Sequence, residues 1–463
     1  MEHENCGCSR RQMIRSLVSG SIMLPAIITQ LLSDEARGAA GDDANPLAPK
    51  APHFAPKAKR VIFMCMSGGV SHLDTFDPKP RLVADAENGV LSAGKRPYLR
   101  PQWDFKPNAR CGTEVSDLFP NVRDVMDEIC LIRSMHGDHS DHFQATMGVH
   151  TGSVTFKRPS IGAWACYGLG TVNQNLPGYV VLAPQMPYAG SQVWSSDFLP
   201  GAYSGTRVVP GAEPIPDLNR RSPTPKIEEM ELGLLDRFNR KHLAQRGGAD
   251  PALAARIKSF ETAFGMQREM PGVLDLSKET DATLASYGLE RGSNKGFAWQ
   301  CLVARRLMES GVRFVELIDI GSANNWDAHS NIKSHEPLAR NVDKPIAGLI
   351  RDLKSRGMLD DTLVVWTSEF GRTPTIDGPD GRGHHNSAYS SWLAGGGIKG
   401  GIVYGKSDDY GDKVADSGVH VHDFHATILH CLGFDHTRLT FRHGGRDFRL
   451  TDVAGEVINR VFA

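Results

Sequence analysis

The residues best suited to chemistry in this chain stand just beyond apolar runs. Asp327 and His329 follow "RFVELIDIG", and Glu369 and Arg372 close "TLVVWTSEFGR". His384 and His385 come shortly afterwards in "GRGHHN". "SMHGDHSDH" supplies His136, Asp138, His139, Asp141 and His142, and "MSGGVSHLDTFD" supplies Ser67, His72, Asp74 and Asp77. Mixed Asp, Glu and His sets suit zinc, manganese, iron or calcium, and the number of histidines favours a transition metal over calcium. One or two such divalent ions could activate water and clamp an in-line displacement at phosphorus or sulfur.

Each group also has a purely structural reading. Asp327 and His329 could cap the next helix. Glu369 ends a buried run and requires a partner, which either a metal or Arg372 would supply. His384 and His385 are neighbours pointing to different sides, so one of the two is expected as a ligand. Of Asp74 and Asp77, one serves as a turn former before Pro78, and Asp74 is the candidate ligand. His139 and His142 fall one turn apart near a helix start. His425 and His430 fit packed core or rim positions, and His150 reads as helical core. Arg372, Arg442 and Arg446 could hold an anionic substrate, with surface pairing the better reading for the last two. Gly395 to Gly397 lack the strand–helix setting of a dinucleotide fingerprint, so no nicotinamide site is inferred.

The elements that must position these groups alternate along the chain. "KRVIFMCMSGG", "ICLIRSMHG", "GYVVLAP", "VRFVELIDIG" and "TLVVWTSEFG" read as buried strands that turn polar at their carboxyl ends. Helical patterns lie between and after them: "SIGAWACYGLG", "PALAARIKSFETAFGMQ", "GFAWQCLVARRLMESG", "LARNVDKPIAGLIRDLKSRG" and "VHDFHATILHCLG". The pattern predicts a doubly wound α/β fold, a mostly parallel sheet with helices on both faces. Ligands in such sheets bind beyond the carboxyl ends of the strands, where the carboxylates and imidazoles gather. The segment around 191–246 is loop-rich, then charged and helical, and reads as an insertion.

The 463 residues, 40% of them hydrophobic, suffice for a large core without metal or disulfides. A net charge of −1 argues against nucleic acid and against an anionic membrane as partners. Residues 1–40 differ from the rest. "SRRQMIR" follows the twin-arginine order, an uncharged stretch runs from Ser16 to Leu32, and small residues precede Gly41. This predicts a cleaved signal for the twin-arginine export machinery, no stable membrane span in the mature form, and a periplasmic or extracellular location. Residues 41–59 read as an extended linker and 60–463 as one α/β domain. No two of the six cysteines after the leader have CxxC spacing, and most lie in apolar runs, so free buried thiols are expected.

Taken together, the leader, "GGVSHLDTFDPKP", "RPSIGAWACYGLG", "NNWDAHSN", "GLIRDLKSRGMLDDTLVVWTSEFGRTP", "GRGHHNSAYSSWLAGGGIKGG" and "HDFHATILHCLGFD" resemble the exported bacterial domain-of-unknown-function family 1501. That family is grouped with the alkaline phosphatase/sulfatase-like superfamily. The resemblance spans nearly the whole mature chain and implies a metal-dependent hydrolase ancestry. On the superfamily pattern, Ser67 stands where the first strand would end in Asp, which shifts that ligand to Asp74. His142 stands where a hydroxyl or thiol nucleophile would precede Thr151-Gly152. Asp327-Ala328-His329 resembles a shortened Asp-x-x-x-His. Glu369-Phe370 keeps the carboxylate of an Asp-His pair but not the imidazole, and His384 or His385 matches a final His. One metal position is thus implied from Asp327, His329 and His384 or His385. A remodelled second is implied from Asp74 and Glu369, with His139 or His142 supplying the imidazole.

The expected function is an exported metal-dependent hydrolase of phosphate or sulfate esters, with an anionic small molecule or a glycan ester as substrate. In that reading His142 and Arg372 are catalytic. The alternatives are a non-catalytic exported binding module that keeps the fold and a metal, and a phosphoryl transferase or mutase.

Overall fold

The computed structural model describes residues 45–216, 218, 224–245 and 251–463, so the export signal expected at 1–40 lies outside the described residues. The strands that build or flank the site are β1 (Arg60–Cys65), β2 (Ile129–His136), β3 (Tyr179–Leu182), β4 (Thr206–Val208), β5 (Phe314–Ile318), β6 (Thr362–Thr367), β7 (Gly371–Asp377), β8 (Gly381–His385), β9 (Tyr389–Ala394), β10 (Ile402–Tyr404) and β11 (Val419–His420). The helices that matter are α1 (His142–Thr151), α2 (Ile161–Leu169), α3 (Pro225–Gln245), α4 (Pro251–Leu274), α5 (Gly296–Glu309), α6 (His335–Ser355) and α7 (Val421–Cys431).

The main sheet runs in the order β10-β2-β9-β6-β1-β5-β3-β4, with β11 also on β2. The block β6-β1-β5-β3-β4 is parallel. The sheet is mixed because β9 enters antiparallel between β2 and β6. Its central strands are mostly apolar on both sides because both sides are covered, with Glu316 of β5 a buried exception. β1 sends Ile62 and Met64 into one core and Val61, Phe63 and Cys65 into the other. β6 divides in the same way, with Val364 and Trp366 against Leu363 and Val365. The first core is closed by α5 and α6, the second by α2 and α7. Each fully buried Leu, Val, Ile or Phe contributes about 1.5–3 kcal/mol, so this double layer holds the strand ends in fixed positions.

Two expectations about organisation change. Residues 45–59 are no free linker but a strap tied to the domain. Leu47 and Ala58 are buried, Lys50 N donates to Leu169 O at 2.9 Å, and Ala58 N donates to Cys431 O at 2.8 Å. The segment around 191–246 is not a pure insertion, since β4 extends the parallel sheet beside β3. All six described cysteines are free, and every one except Cys111 is buried. Among the described residues no helix is long and apolar enough to cross a membrane.

Candidate active site

The site forms where β5 and β6 end, closed by the start of α1 and by the β7–β8 hairpin. α1 begins abruptly because Asp141 caps it, its carboxylate accepting from Phe143 N at 3.0 Å. His142 therefore occupies the first helical position. Its Nδ1 meets Glu369 Oε1 at 2.8 Å, and its Nε2 lies 3.4 Å from Asp327 Oδ2. Nε2 is buried and has no hydrogen-bond partner. Tyr188 stacks flat on the imidazole at 4.1 Å, and Phe370 packs against it at 4.9 Å.

Glu369 is buried in the turn after β6, yet its charge is answered on several sides. Gly68 N also donates to Oε1 at 2.8 Å, and Ser368 Oγ donates to Oε2 at 3.1 Å. Burial would raise its pKa, but the hydrogen bond and charge of His142 bring it below the ordinary value. Burial likewise works against a charged His142, but Asp327 and Glu369 outweigh it and raise the imidazole to about 9. The close approach of Gly68 requires glycine. Its φ is +112°, and a Cβ would come within 2.7 Å of Asn325 Oδ1, Trp326 N and Asp327 N.

Asp327 is gripped from the other side. Arg372, wholly buried at the start of β7, donates through Nη2 to Asp327 Oδ1 at 2.8 Å. Its Nε donates to Gly69 O at 2.7 Å and its Nη1 to Arg382 O at 3.2 Å. Burial opposes ionisation of Asp327, yet His142, His384 and Arg372 hold the carboxyl far below the usual carboxylate range.

Register in the hairpin sets His384 opposite Arg372. His384 Nδ1 faces Ser140 O at 2.7 Å, and its Nε2 lies 2.8 Å from His329 Nε2 and 3.3 Å from Asp327 Oδ1. His329 is held by Nδ1 against the Asp377 carboxylate, with its Nε2 3.2 Å from Asp327 Oδ1. His142, His384 and His329 thus share one design. In each, Nδ1 is spent on an oxygen acceptor, a glutamate, a backbone carbonyl or an aspartate, which leaves Nε2 pointing at Asp327. Metal-ligating histidines are oriented in this way. Donor atoms of His142, Asp327 and His384 all lie within 4.8 Å of one another.

The family model for proteins of unknown function, DUF1501, matches residues 58–462. The chain belongs to this family. No curated protein matches its sequence. Among solved structures it is similar to the PsFucS1 sulfatase from Pseudoalteromonas sp., at 13% identity over 85% of this chain and 74% of that one, TM-score 0.34. Alkaline phosphatase from the Antarctic bacterium TAB5 shares 13% identity over 82% of this chain and 99% of that one, TM-score 0.33. The lipoteichoic acid synthase LtaP from Listeria monocytogenes shares 11% over 87% and 78%, TM-score 0.37.

In this DUF1501 chain, then, the structure brings together His142, Asp327, His329, Glu369, Arg372 and His384. It does not bring Asp74, whose buried carboxylate is held by Arg382 Nε at 2.8 Å and Ser71 Oγ at 2.6 Å. His385 turns to the opposite side of β8, its Nε2 against Asp412 O at 2.6 Å and its ring stacked on His72. His139 precedes α1 rather than sharing a helical face with His142. Its Nδ1 accepts from Asp141 N at 3.0 Å, and it lines a crevice of about 10 Å³ with Asp138, Glu369 and His422, room for about one water. Arg372 spends its donors on Asp327 and on backbone carbonyls, so it positions the carboxylate rather than receiving a substrate. Nor does it pair with Glu369, whose partner is His142. Asp327 and His329 cap nothing, because Asn331 takes that role by accepting from Lys333 N.

Sequence reasoning missed Tyr188 and Asp377. Tyr188 follows the carboxyl end of β3, where the strand-end rule applies equally. Asp377 opens "DGPDG", a turn signal that marks the hairpin carrying His384 back to His329.

Proposed function

We propose that this protein is an exported, metal-dependent hydrolase of phosphate or sulfate esters. The observation that carries the reading is the convergence of three imidazole Nε2 atoms on Asp327, each imidazole tied at Nδ1 to an oxygen. Two such nitrogens 2.8 Å apart, each with its Nδ1 spent on an acceptor, present facing lone pairs that a cation satisfies. Asp327, His329, His384 and His142 would hold it, and imidazole-rich donors suit zinc or manganese better than calcium. When bound, a divalent ion there supplies Lewis acidity toward a phosphoryl or sulfuryl oxygen and toward water.

The remaining residues prepare the place. Arg372 fixes Asp327 in its charged form. Glu369 fixes the tautomer of His142, so that Nδ1 carries a proton and Nε2 faces the cluster. Tyr188 and Phe370 wall one side with apolar surface, which strengthens each electrostatic contact inside. His142 stands where a hydroxyl or thiol would be the nucleophile, which favours direct attack by water over a covalent enzyme intermediate.

That same substitution supports a second reading, a binding module that keeps the cation and has lost turnover. The decisive assay is hydrolysis of aryl phosphates, phosphodiesters, aryl sulfates and sulfated or phosphorylated glycans with zinc, manganese or calcium added. Turnover that Glu369→Ala abolishes supports the hydrolase. Metal binding without turnover on any of these leaves the binding module. Export by the twin-arginine route belongs to the proposal too. Replacing Arg10 and Arg11 together by lysine should leave the protein in the cytoplasm, and undisturbed export of that variant would refute the route.

A further inference from the structure

The place of α1 on the sheet decides where His142 stands, yet the shape of α1 does little to fix that place. Of its buried residues only Met147 and Val149 join the apolar core, and Ala145 and Gly148 are small. Directional contacts hold it instead. At its carboxyl end His425 and His422 of α7 donate through Nε2 to Val149 O at 2.6 Å and to Gly152 O at 2.8 Å.

The tie to the sheet itself is a buried charged cluster that the candidate site does not use. His150, Glu316 and Tyr179 are each 1% exposed. His150 Nδ1 lies 2.7 Å from Thr146 O, an oxygen that only accepts, so this nitrogen carries a proton. Its Nε2 lies 2.7 Å from Glu316 Oε1, an ionic contact rather than an aligned hydrogen bond. The Tyr179 hydroxyl donates to Glu316 Oε2. Burial works against charge on the imidazole, but Glu316 outweighs it and raises the pKa of His150. Glu316 sits in the middle of β5, opposite Phe63 of β1 and Val181 of β3, so its backbone is held on both sides. The chain that leaves β5 carries Asp327.

We propose that His150 and Glu316 are positioning residues, whose buried pair sets α1 along the sheet and thereby holds His142 against Asp327. His142 is eight residues upstream on the same helix, about 12 Å along its axis, so a slide of α1 displaces it equally. Stability alone does not call for such a pair, because apolar side chains of similar volume do as well or better in a core. A directional pair does what they cannot, since sliding α1 breaks it. The role assigned to the pair in the site rests on the reading of His142 as a holder of the cation.

The test compares the wild type with two variants. His150→Leu/Glu316→Leu/Tyr179→Phe replaces the cluster by apolar side chains and should melt no lower than the wild type. Glu316→Gln keeps the shape and serves if the triple variant does not fold. Zinc affinity is read by competition with a chromophoric chelator. The placing of His142 is read in the metal-free protein from the ring-current shift that Tyr188, stacked on it at 4.1 Å, gives its ring protons. Each folded variant, measured well below its melting temperature, should bind zinc at least about ten-fold more weakly, with the His142 ring protons moved toward their unstacked position. A role in stability alone would move neither reading in a variant that melts like the wild type. An unmoved His142 ring in a folded variant overturns the proposal, whatever its zinc affinity. A wild type that binds no zinc refutes the cation reading instead, and the His142 ring shift then decides the positioning role by itself.

Discussion

Glu369 grips His142 by Nδ1 at 2.8 Å and thereby leaves Nε2, buried and without a hydrogen-bond partner, facing Asp327 Oδ2 at 3.4 Å. One hydrogen bond thus decides which nitrogen of the imidazole is offered to the site. The pair spans two elements, the capped start of α1 and the turn after β6, so its geometry depends on the packing of both.

Replacing Glu369 by Gln keeps the shape and removes the charge that helps hold His142 protonated. The imidazole, raised to about 9 in the metal-free protein, should titrate lower in Glu369→Gln. NMR titration of the His142 ring in the presence of a chelator reads this directly. An unchanged titration would show that Glu369 does not control the ring.

The same shift fixes a pH dependence of stability. His142 has a folded pKa raised from 6.5 to about 9. Its contribution to the metal-free protein is therefore complete below 6.5 and is lost as pH rises through 9. Melting temperatures in chelator should fall across this window, and His142→Gln should flatten that part of the profile. Added zinc must displace this proton, so its apparent affinity should rise by up to about ten-fold per pH unit over the same range.

Gly68 is predicted to tolerate no side chain. Gly68→Ala drives a Cβ to within 2.7 Å of two backbone nitrogens and Asn325 Oδ1 at a φ of +112°, and should cost more than about 3 kcal/mol. Gly112→Ala makes the control. Its φ is also positive, but nothing lies within 4 Å of the added Cβ, so about 1 kcal/mol is expected. Chemical denaturation of both variants makes the comparison. Equal, small losses would mean that the approach of Gly68 to the Asn325–Asp327 segment is not tight.

Asp74 should behave as a structural residue. Arg382→Met leaves its buried carboxylate without its ion-pair partner and should cost about 3–5 kcal/mol. Asp74→Asn should lower stability while leaving bound metal per chain unchanged. Metal lost in Asp74→Asn at an unchanged fold would restore it as a ligand.

Much of this was legible in the sequence, for identifiable reasons. The strand ends were readable because β1 and β6 are apolar on both faces, β5 departs from this only at the buried Glu316, and all three turn polar where they leave the sheet, so Asp327 and Glu369 stood out. The choice between His384 and His385 was not readable, because alternation along a strand decides it and β8 exists only through its pairing with β7. Asp74 misled because a buried carboxylate before a Pro-containing turn looks alike whether its partner is a metal or Arg382, 308 residues away. His142 was flagged as a departure from a pattern, as a candidate imidazole beside His139 and as a catalytic residue, but not with its partner. Its pairing with Glu369, 227 residues distant, is a property of the folded sheet edge.

The central claim is that Asp327, His329, His384 and His142 hold a divalent cation. Elemental analysis of the purified protein, reloaded with zinc or manganese and dialysed, tests it most directly beside Asp327→Ala and His384→Ala. The account predicts at least one ion per chain in the wild type and a loss of most of it in both variants, with His385→Ala retaining it. The contradicting result is negligible metal in all four, or equal metal in all four.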